Sequence, residues 1–185
     1  MSVTPSRDVH YTYEEYRWFE KGNPNKHEYI AGEIYAMAGG TPDHAALSAT
    51  IIARLSPQLP PRCRIFTSDL RVRIPEHDLT TYPDSSIACG ATQQASDDPL
   101  AITNPLVLIE VTSNSTEGYD RGKKLGYYKA IGSLREVLIV SHREHWLTLH
   151  RRTNDGSWTV TEARSGESVQ LESIAASLKV DDVYS

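Results

Sequence analysis

Cysteine is scarce in this chain, since Cys63 and Cys89 are the only two among 185 residues. They fit no metal-binding spacing, and so few cysteines argue against a disulfide framework and for a reducing compartment such as the cytosol. Long apolar runs are also missing: stretches such as 106–109 fall far short of the ~20 residues that cross a bilayer. Arg7 and Asp8 stand where a signal peptide would need an apolar stretch, so export is not expected. We therefore expect a soluble, cytoplasmic protein.

Basic charge is limited as well. The 19 Lys and Arg residues face 24 Asp and Glu residues, which gives a formal net charge of −5. This balance excludes a wide basic footprint for nucleic acid but leaves room for a local basic groove. Hydrophobic residues make up 39% and charged residues 23%, which excludes a disordered chain, collagen and a pure coiled coil. The length predicts a single domain over residues 1–185.

Local signals in the N-terminal part mark two helices and a hairpin. Thr12 and Glu15 form a capping-box pattern, which predicts a short helix that ends near Gly22 in a left-handed cap. Ala31-Gly32 predicts a two-residue turn between strands at 27–30 and 33–37. Thr41-Pro42 supplies an N-cap hydroxyl and a fixed φ, which predicts the start of the second helix.

The remaining chain alternates between strand and loop signals. Apolar residues at 70, 72 and 74 alternate with Arg71 and Arg73, which predicts a strand with one buried face. Further strands are predicted at 82–89, 106–112, 136–141, 145–151 and 158–163, a helix at 120–131, and a polar loop without clear structure at 90–104. The whole predicts an α+β domain on a largely antiparallel sheet, with its helices in the N-terminal two-thirds.

Two carboxylates and a lysine are the candidate catalytic residues. Glu110 interrupts an apolar strand on the same face as Leu108 and Thr112, and a buried carboxylate is costly unless it is paired or bound to a metal. The alternative is a carboxylate at the wet end of the strand, paired with an arginine. Asp84 follows Pro83 at a strand start, where a turn or cap is the alternative role.

The lysine lies in the helix predicted after these strands. Lys123 and Lys124 are adjacent and point about 100° apart, so one can face inward while the other stays solvated. A charged, solvated helix face is the alternative. Two strand-borne acids and a lysine together match metal-assisted phosphodiester hydrolysis. The acids hold Mg²⁺, the metal activates a water, and the lysine stabilises the phosphate charge.

The order of these residues also carries a family resemblance. It comprises Gly32-Glu33-Ile34, His44, Tyr82-Pro83-Asp84, Leu108 to Ser113, Ser115-Thr116, Asp120, Lys124, Tyr128 and Leu134 to Val140. This order resembles the Uma family of putative restriction endonucleases, a domain-of-unknown-function group in the PD-(D/E)xK nuclease superfamily. The resemblance runs over about Tyr11 to Tyr184, which is nearly the whole chain.

The resemblance implies both a fold and a site. The fold would be a restriction-endonuclease-like α/β core, with a central mixed sheet flanked by helices. Asp84 and Glu110 would bind Mg²⁺ or Mn²⁺, with the backbone carbonyl of Val111 as a third ligand. The superfamily places its lysine two residues after the second acid, where this chain has Thr112. Lys124 matches the lysine that the family uses instead, and the implied activity is hydrolysis of DNA phosphodiester bonds.

Three further residues have two readings each. Glu33 either completes the acidic cluster or is a solvated strand residue. His44 lies in the first turn of its helix, where the helix dipole favours a neutral ring that either contacts a phosphate-bound water or caps local structure. We expect Asp120 to be a residue of the helix N-terminus, where the helix dipole stabilises an acidic side chain, rather than a metal ligand. We expect Trp18 and Trp146, like Trp158, to serve core packing or an interface.

Partners follow from the same reasoning. The candidate phosphate contacts are basic side chains near the predicted site, namely Arg71, Arg73, Arg121, Lys123 and Lys124. So few contacts on an acidic chain suggest a homodimer, which would also supply two active sites for double-strand cleavage. The alternative function is a catalytically silent binding or assembly protein that keeps the fold, and RNA or single-stranded DNA remains open as the substrate.

Overall fold

A computed structural model of the protein describes residues 10–37, 39–114 and 116–185. Arg7, Asp8 and Ser115, which entered the sequence analysis, lie outside these ranges. The strands are β1 (His27–Ile30), β2 (Glu33–Ala36), β3 (Cys63–Thr67), β4 (Arg71–Ile74), β5 (Leu79–Thr81), β6 (Ser85–Cys89), β7 (Gln94–Ala95), β8 (Asp98–Ile102), β9 (Val107–Val111), β10 (Glu136–Val140), β11 (Trp146–Arg152), β12 (Trp158–Arg164), β13 (Ser168–Leu171) and β14 (Ala176–Lys179).

The helices are fewer, and two of them carry the predicted caps. They are α1 (Tyr13–Gly22), α2 (Pro42–Leu55), α3 (Glu117–Tyr119), α4 (Leu125–Ala130) and α5 (Val180–Val183), with a π-helical segment Asp120–Lys124 that joins α3 to α4. Both halves of the capping box at Thr12 are formed, and the hydroxyl of Thr41 accepts the amide of His44. Gly22 stays inside α1 and Asn23 caps it in an extended conformation, so the predicted left-handed cap is wrong.

The strands form two six-stranded sheets and a separate hairpin. The first sheet has the order β2-β1-β5-β4-β8-β7 and the second β12-β11-β10-β9-β6-β3, while β13 pairs with β14. Each large sheet contains one parallel pair, β4 with β8 and β9 with β10, among antiparallel neighbours. The α+β class is as predicted. The prediction of one sheet is wrong, because the strands divide into two large sheets. The prediction of a loop without clear structure at 90–104 is also wrong, because these residues supply β7 and β8 to the first sheet.

The central strands β9 and β10 of the second sheet are buried on both faces, and this explains their nearly uninterrupted apolar sequences. Leu47, Ile51 and Leu55 of α2 pack in the core on one face, together with the β13–β14 hairpin and α5. Leu125 and Tyr128 of α4 pack in the core on the opposite face. The helix that contains the π-helical segment therefore lies on the face to which Glu110 and Leu108 point.

One end of the second sheet collects the residues of interest, and we call it the site edge. Parallel register aligns Val111 of β9 with Val140 of β10, and antiparallel register continues the row to Leu147 of β11 and Ala163 of β12. Asp84 lies immediately before β6, which runs antiparallel to β9. Asp84 therefore reaches the same end of the sheet as Val111.

The two cysteines form a disulfide, so the expectation of no disulfide framework is wrong. Cys63 of β3 and Cys89 of β6 are direct cross-strand partners in the antiparallel register. Their separation along the chain gave no sign of this pairing, because it is set by strand register. Within the described ranges, no helix combines the length and the apolar character needed to cross a membrane.

Candidate active site

Glu110 is the buried carboxylate around which the site is built. It lies on β9 with 4% of its surface exposed. The hydroxyl of Tyr128 donates a hydrogen bond to it, and the ammonium of Lys124 lies 3.0 Å from the same Oε1 atom. Burial raises the pKa of Glu110 to about 8, although the positive charge of Lys124 acts in the opposite direction.

Lys124 bridges several carboxylates from the end of the π-helical segment. Its Nζ atom lies 3.0 Å from Glu110, 3.1 Å from Glu28 and 3.8 Å from Asp120. Burial alone would lower the pKa of Lys124, but the surrounding acids outweigh it and raise the pKa well above its usual value. The side chain is therefore a fixed positive charge rather than a proton donor at neutral pH.

The second acid, Asp84, lies on the neighbouring stretch of the site edge. Its Oδ2 atom accepts a 2.7 Å hydrogen bond from the backbone amide of Val111, the residue after Glu110. The backbone therefore places Asp84 beside the strand that carries Glu110, as the sequence order anticipated. Because the two carboxylates lie close together, the negative charge of Asp84 also helps to raise the pKa of Glu110.

His44 lies next to Asp84, in the first turn of α2. Its Nε2 atom is 3.3 Å from Oδ2 of Asp84 and 2.9 Å from the carbonyl oxygen of Val111. The hydrogen bond to Asp84 raises the pKa of His44, and burial opposes this only in part. The direction of this shift is opposite to the one that the helix dipole favours, because the carboxylate of Asp84 stabilises the charged ring.

Glu33 does not join this group of side chains. It is exposed on β2 and accepts a hydrogen bond from the hydroxyl of Tyr35. Glu28 on the partner strand β1 contacts Lys124 instead, and it also accepts a hydrogen bond from Thr81. Sequence reasoning missed Glu28. The register places Glu28 and Glu33 on the same face of the hairpin, so strand alternation does not separate them, and only the contact with Lys124 marks Glu28.

Asp120 lies in the first turn of the π-helical segment. It is buried, and its carboxylate faces the ammonium of Lys124. Burial raises the pKa of Asp120, with Lys124 opposing. The residues between them are π-helical, a geometry that often marks functional sites. Tyr128, the hydrogen-bond donor to Glu110, was part of the family pattern without an assigned role.

The predicted phosphate contacts separate into two groups. Arg71 and Arg73 are buried in the first sheet, where Arg71 pairs with Asp98 at 3.0 Å and Arg73 pairs with Asp78 at 2.7 Å. Both faces of β4 are buried, so the prediction of one solvated face is wrong and the structure does not bring these arginines to the site edge. Arg121 and Lys123 lie on the π-helical segment beside Lys124, and Lys123 is exposed.

The charges of the site favour a cation. Glu28, Glu110 and Asp120 surround Lys124, so the four side chains carry two excess negative charges when all are ionised. Among the described residues, no group of three or more His, Cys, Asp and Glu side chains is arranged to hold a metal ion. Asp84, Glu110 and the carbonyl of Val111 are nevertheless hard oxygen donors. They fit Mg²⁺, which keeps several waters and needs one or two carboxylates.

Thr112 occupies the position at which the superfamily carries its lysine. It is fully buried, and its Oγ1 atom lies 2.8 Å from Nδ1 of His142 in the turn after β10. The amide of His142 also donates to this hydroxyl, at 3.2 Å. Thr112 therefore joins β9 to the β10–β11 turn, while the ammonium group near Glu110 comes from the helix above.

Comparison with known proteins identifies relatives of this chain. Residues 13–181 match the family described as "Uma2: Putative restriction endonuclease". Two similar proteins from Synechocystis sp. (strain PCC 6803) carry the descriptions "Uncharacterized protein slr1290" and "Uncharacterized protein sll1609". The first is 35% identical over 172 residues, 92% of this chain and 90% of the relative. The second is 31% identical over 159 residues, 85% of this chain and 89% of the relative.

A solved structure resembles the fold. It is the crystal structure of "a putative nuclease belonging to DUF820" from Anabaena variabilis ATCC 29413, with a TM-score of 0.69 and 19% identity, covering 92% of this chain and 96% of that one. The expected restriction-endonuclease-like core, with mixed sheets flanked by helices, is thereby confirmed. From the family match over nearly the whole chain, this protein belongs to the Uma2 family of putative restriction endonucleases.

Proposed function

We propose that the protein is a divalent-metal-dependent endonuclease that hydrolyses DNA phosphodiester bonds. The observation that carries the proposal is the meeting of two acids and a lysine at one edge of the second sheet. Lys124 Nζ lies 3.0 Å from Glu110, and Asp84 accepts the amide of the next residue, Val111. These are the residue types that metal-assisted phosphodiester hydrolysis needs.

Each residue has a distinct part in this proposal. Asp84, Glu110 and the carbonyl of Val111 would hold Mg²⁺ or Mn²⁺. When bound, such an ion polarises a phosphoryl oxygen and lowers the pKa of a coordinated water. Lys124 would supply preorganised positive charge to the phosphate as it gains negative charge. Tyr128 holds the Glu110 carboxylate in place through its hydrogen bond.

The fixed position of Lys124 supports its part. Glu28 and Asp120 lie 3.1 and 3.8 Å from its ammonium, in addition to Glu110, and these contacts limit the motion of a long side chain. A charge held in advance stabilises a transition state without reorganisation cost. A second copy of the chain would supply a second site for the opposite DNA strand, which is the reason to propose a homodimer.

Metal binding and cleavage together test the proposal. We expect titration of Mn²⁺ to give a binding heat that disappears in Glu110→Ala, and plasmid DNA to be nicked or cut with Mg²⁺ or Mn²⁺. Asp84→Ala should abolish the cleavage, because it removes a metal ligand. Glu76→Ala is the matched control, since Glu76 is an exposed carboxylate on the turn after β4. Undiminished cutting by Asp84→Ala would refute the proposal.

One observation favours a second function. The ammonium of Lys124 already contacts the carboxylates of the site, and His44 already contacts both Asp84 and the Val111 carbonyl. A protein that keeps the fold for binding or assembly, without turnover, would need no metal to balance this site. Such a protein would give no heat with Mn²⁺ and no cleavage. The titration above therefore separates the two functions.

A further inference from the structure

The site edge continues past the acidic cluster toward β12. One residue beyond the row of Val111, Val140 and Leu147, the backbone amide of Ser141 donates to the carbonyl of Trp146, and Trp146 is the register partner of Arg164. Neighbouring strands are about 4.8 Å apart, so β11 lies about 10 Å and β12 about 14 Å from β9. These distances correspond to a few nucleotides of a DNA strand, at ~3.4 Å per phosphate along the helix axis.

Three arginines line this continuation, and we call Arg121, Arg143 and Arg164 the arginine arc. The guanidinium carbons of Arg121 and Arg164 lie 4.4 and 4.2 Å from the ring centre of Trp146. Arg143 lies in the β10–β11 turn, where it donates to the side-chain oxygen of Asn114 at 2.7 and 3.1 Å. The arc therefore joins the π-helical segment, the β10–β11 turn and the end of β12.

Charge on the arc is only partly compensated. Glu117 lies 3.4 Å from Arg121 and 3.9 Å from Arg143, and Glu144 lies 2.6 Å from Arg164. Three guanidinium groups thus share two carboxylates. The side chains of Arg143 and Arg164 are 57% and 51% exposed, so both can turn toward a ligand.

Free hydrogen-bond donors accompany this charge. Within the described part of the chain, Nη2 of Arg121 and Nε1 of Trp146 are buried and make no hydrogen bond, while Nε of Arg121 lies 3.4 Å from the carboxylate of Glu117. Leaving a buried donor unsatisfied costs free energy, so a ligand with several acceptor oxygens would be stabilised here. A guanidinium stacked on an aromatic ring keeps its in-plane donors for bidentate contact with phosphate.

We propose that the arginine arc contacts the phosphodiester backbone of DNA beside the bond that is cut. This inference rests on the proposed function, because it takes the acidic cluster as the place of cleavage. The arc and the cluster occupy one edge of one sheet, and Arg121 precedes Lys124 by three residues on the same helical segment. The backbone is the fitting partner because regularly spaced phosphates match a row of arginines, and no base-specific contact is needed.

The test measures DNA binding of the full chain without cleavage. Fluorescence anisotropy with a labelled 20-base-pair DNA duplex in EDTA, at several salt concentrations, is recorded for the wild type and for Arg121→Gln, Arg143→Gln and Arg164→Gln. Each lost phosphate contact should lower the slope of log K against log salt by about 0.9 and weaken binding about fivefold to tenfold near 0.1 M salt. Arg62→Gln is the matched control, because Arg62 is exposed at the opposite end of the same sheet.

The outcomes separate this inference from the proposed function. The proposal would be overturned if the salt slopes of all three variants equalled that of the wild type, or if Arg62→Gln lost as much affinity as they do. It would also be overturned if the wild type did not bind the DNA duplex. Binding to an RNA duplex or single-stranded DNA, with no binding to the DNA duplex, would also overturn it as stated. Arc-dependent binding by a protein that takes no Mn²⁺ and cuts no DNA would instead support the arc and refute the nuclease. Thermal unfolding of each variant checks that it is folded.

Discussion

Replacement of Lys124 by methionine tests the charge balance of the site most directly. The substitution keeps much of the side-chain volume and removes an ammonium that lies within 3.0 to 3.8 Å of three carboxylates. Removing one partner of a buried ion pair destabilises a protein by about 3–5 kcal/mol, because the remaining charge stays uncompensated. We expect a loss of free energy of unfolding of about 3 kcal/mol for Lys124→Met, since Glu110 and Asp120 can take up protons.

The assay is urea unfolding at pH 7 in EDTA, with Lys123→Met as the matched control. Lys123 is the adjacent residue and is exposed, so its replacement should change the free energy of unfolding by less than about 0.5 kcal/mol. Saturating Mg²⁺ should restore part of the loss in Lys124→Met, because the metal would compensate Glu110, the carboxylate that both cations contact. At one hundred times its Kd a ligand adds about 2.7 kcal/mol.

Activity gives a second readout of the same variant. If Lys124 stabilises the charge that develops on the phosphate, cleavage should fall by on the order of 10²–10³, even where Mg²⁺ restores the fold. Equal unfolding curves for Lys124→Met and Lys123→Met would refute the reasoning, since they would mean that the ammonium does not compensate the acids. Full cleavage by Lys124→Met would refute its assigned part in the chemistry.

Three further predictions concern other parts of the molecule. Burial and nearby cations lower the pKa of His150 from 6.5 to about 4. The unfolded chain therefore binds the proton first, and the free energy of unfolding should fall by about 1–2 kcal/mol between pH 6.5 and pH 4, after allowance for partial exposure. Chemical denaturation of His150→Gln should lack this loss, and the exposed-site control His77→Gln should keep it. Thiol titration of the unfolded, unreduced protein should find no free thiol at Cys63 or Cys89, and two free thiols would contradict the disulfide. Reduction should lower the free energy of unfolding by about 2–4 kcal/mol. Tyr128→Phe should weaken Mn²⁺ binding in calorimetry, because Glu110 loses a hydrogen bond; unchanged affinity would argue against this positioning.

Local chemistry predicted much of the fold, because several elements are set by a few neighbouring residues. The capping box at Thr12, the turn at Ala31-Gly32 and the N-cap at Thr41 all form as the sequence indicated. Ala31 and Gly32 both adopt positive φ, as the predicted hairpin turn requires. In each case the decisive contacts lie within four residues along the chain.

Long-range pairing accounts for what the sequence could not show. Arg71 and Arg73 looked like the solvated face of a strand, because alternation with apolar residues usually means exposure. Their acidic partners include Asp97 and Asp98, from a segment that carried no strand signal. Once β8 pairs with β4, the segment that carries Asp97 and Asp98 lies beside the arginines, which become buried ion pairs. No property of the individual residues distinguishes the two outcomes.

The candidate site shows the same division. Glu110 could be selected because it interrupts an apolar strand, where a carboxylate costs energy without a partner, and Asp84 because it follows Pro83 at a strand start within the family pattern. Glu28 could not, because its relevance depends on a hairpin in one sheet reaching a lysine on a helix that covers the other. Asp120 was assigned to a regular helix start, whereas the π-helical turn directs it inward toward Lys124.

The position of Lys124 indicates that such a site needs a positive charge close to its carboxylate, whichever part of the chain supplies that charge. Two residues after Glu110, Thr112 carries no charge, and its hydroxyl contacts His142. Lys124 reaches the same carboxylate from a helix that packs over β9, with an ammonium-to-carboxylate distance of 3.0 Å. Coulombic stabilisation depends on distance and burial and not on which element carries the charge. A strand lysine and a helix lysine can therefore perform the same chemistry, provided that other acids hold the longer route in place, as Glu28 and Asp120 do here.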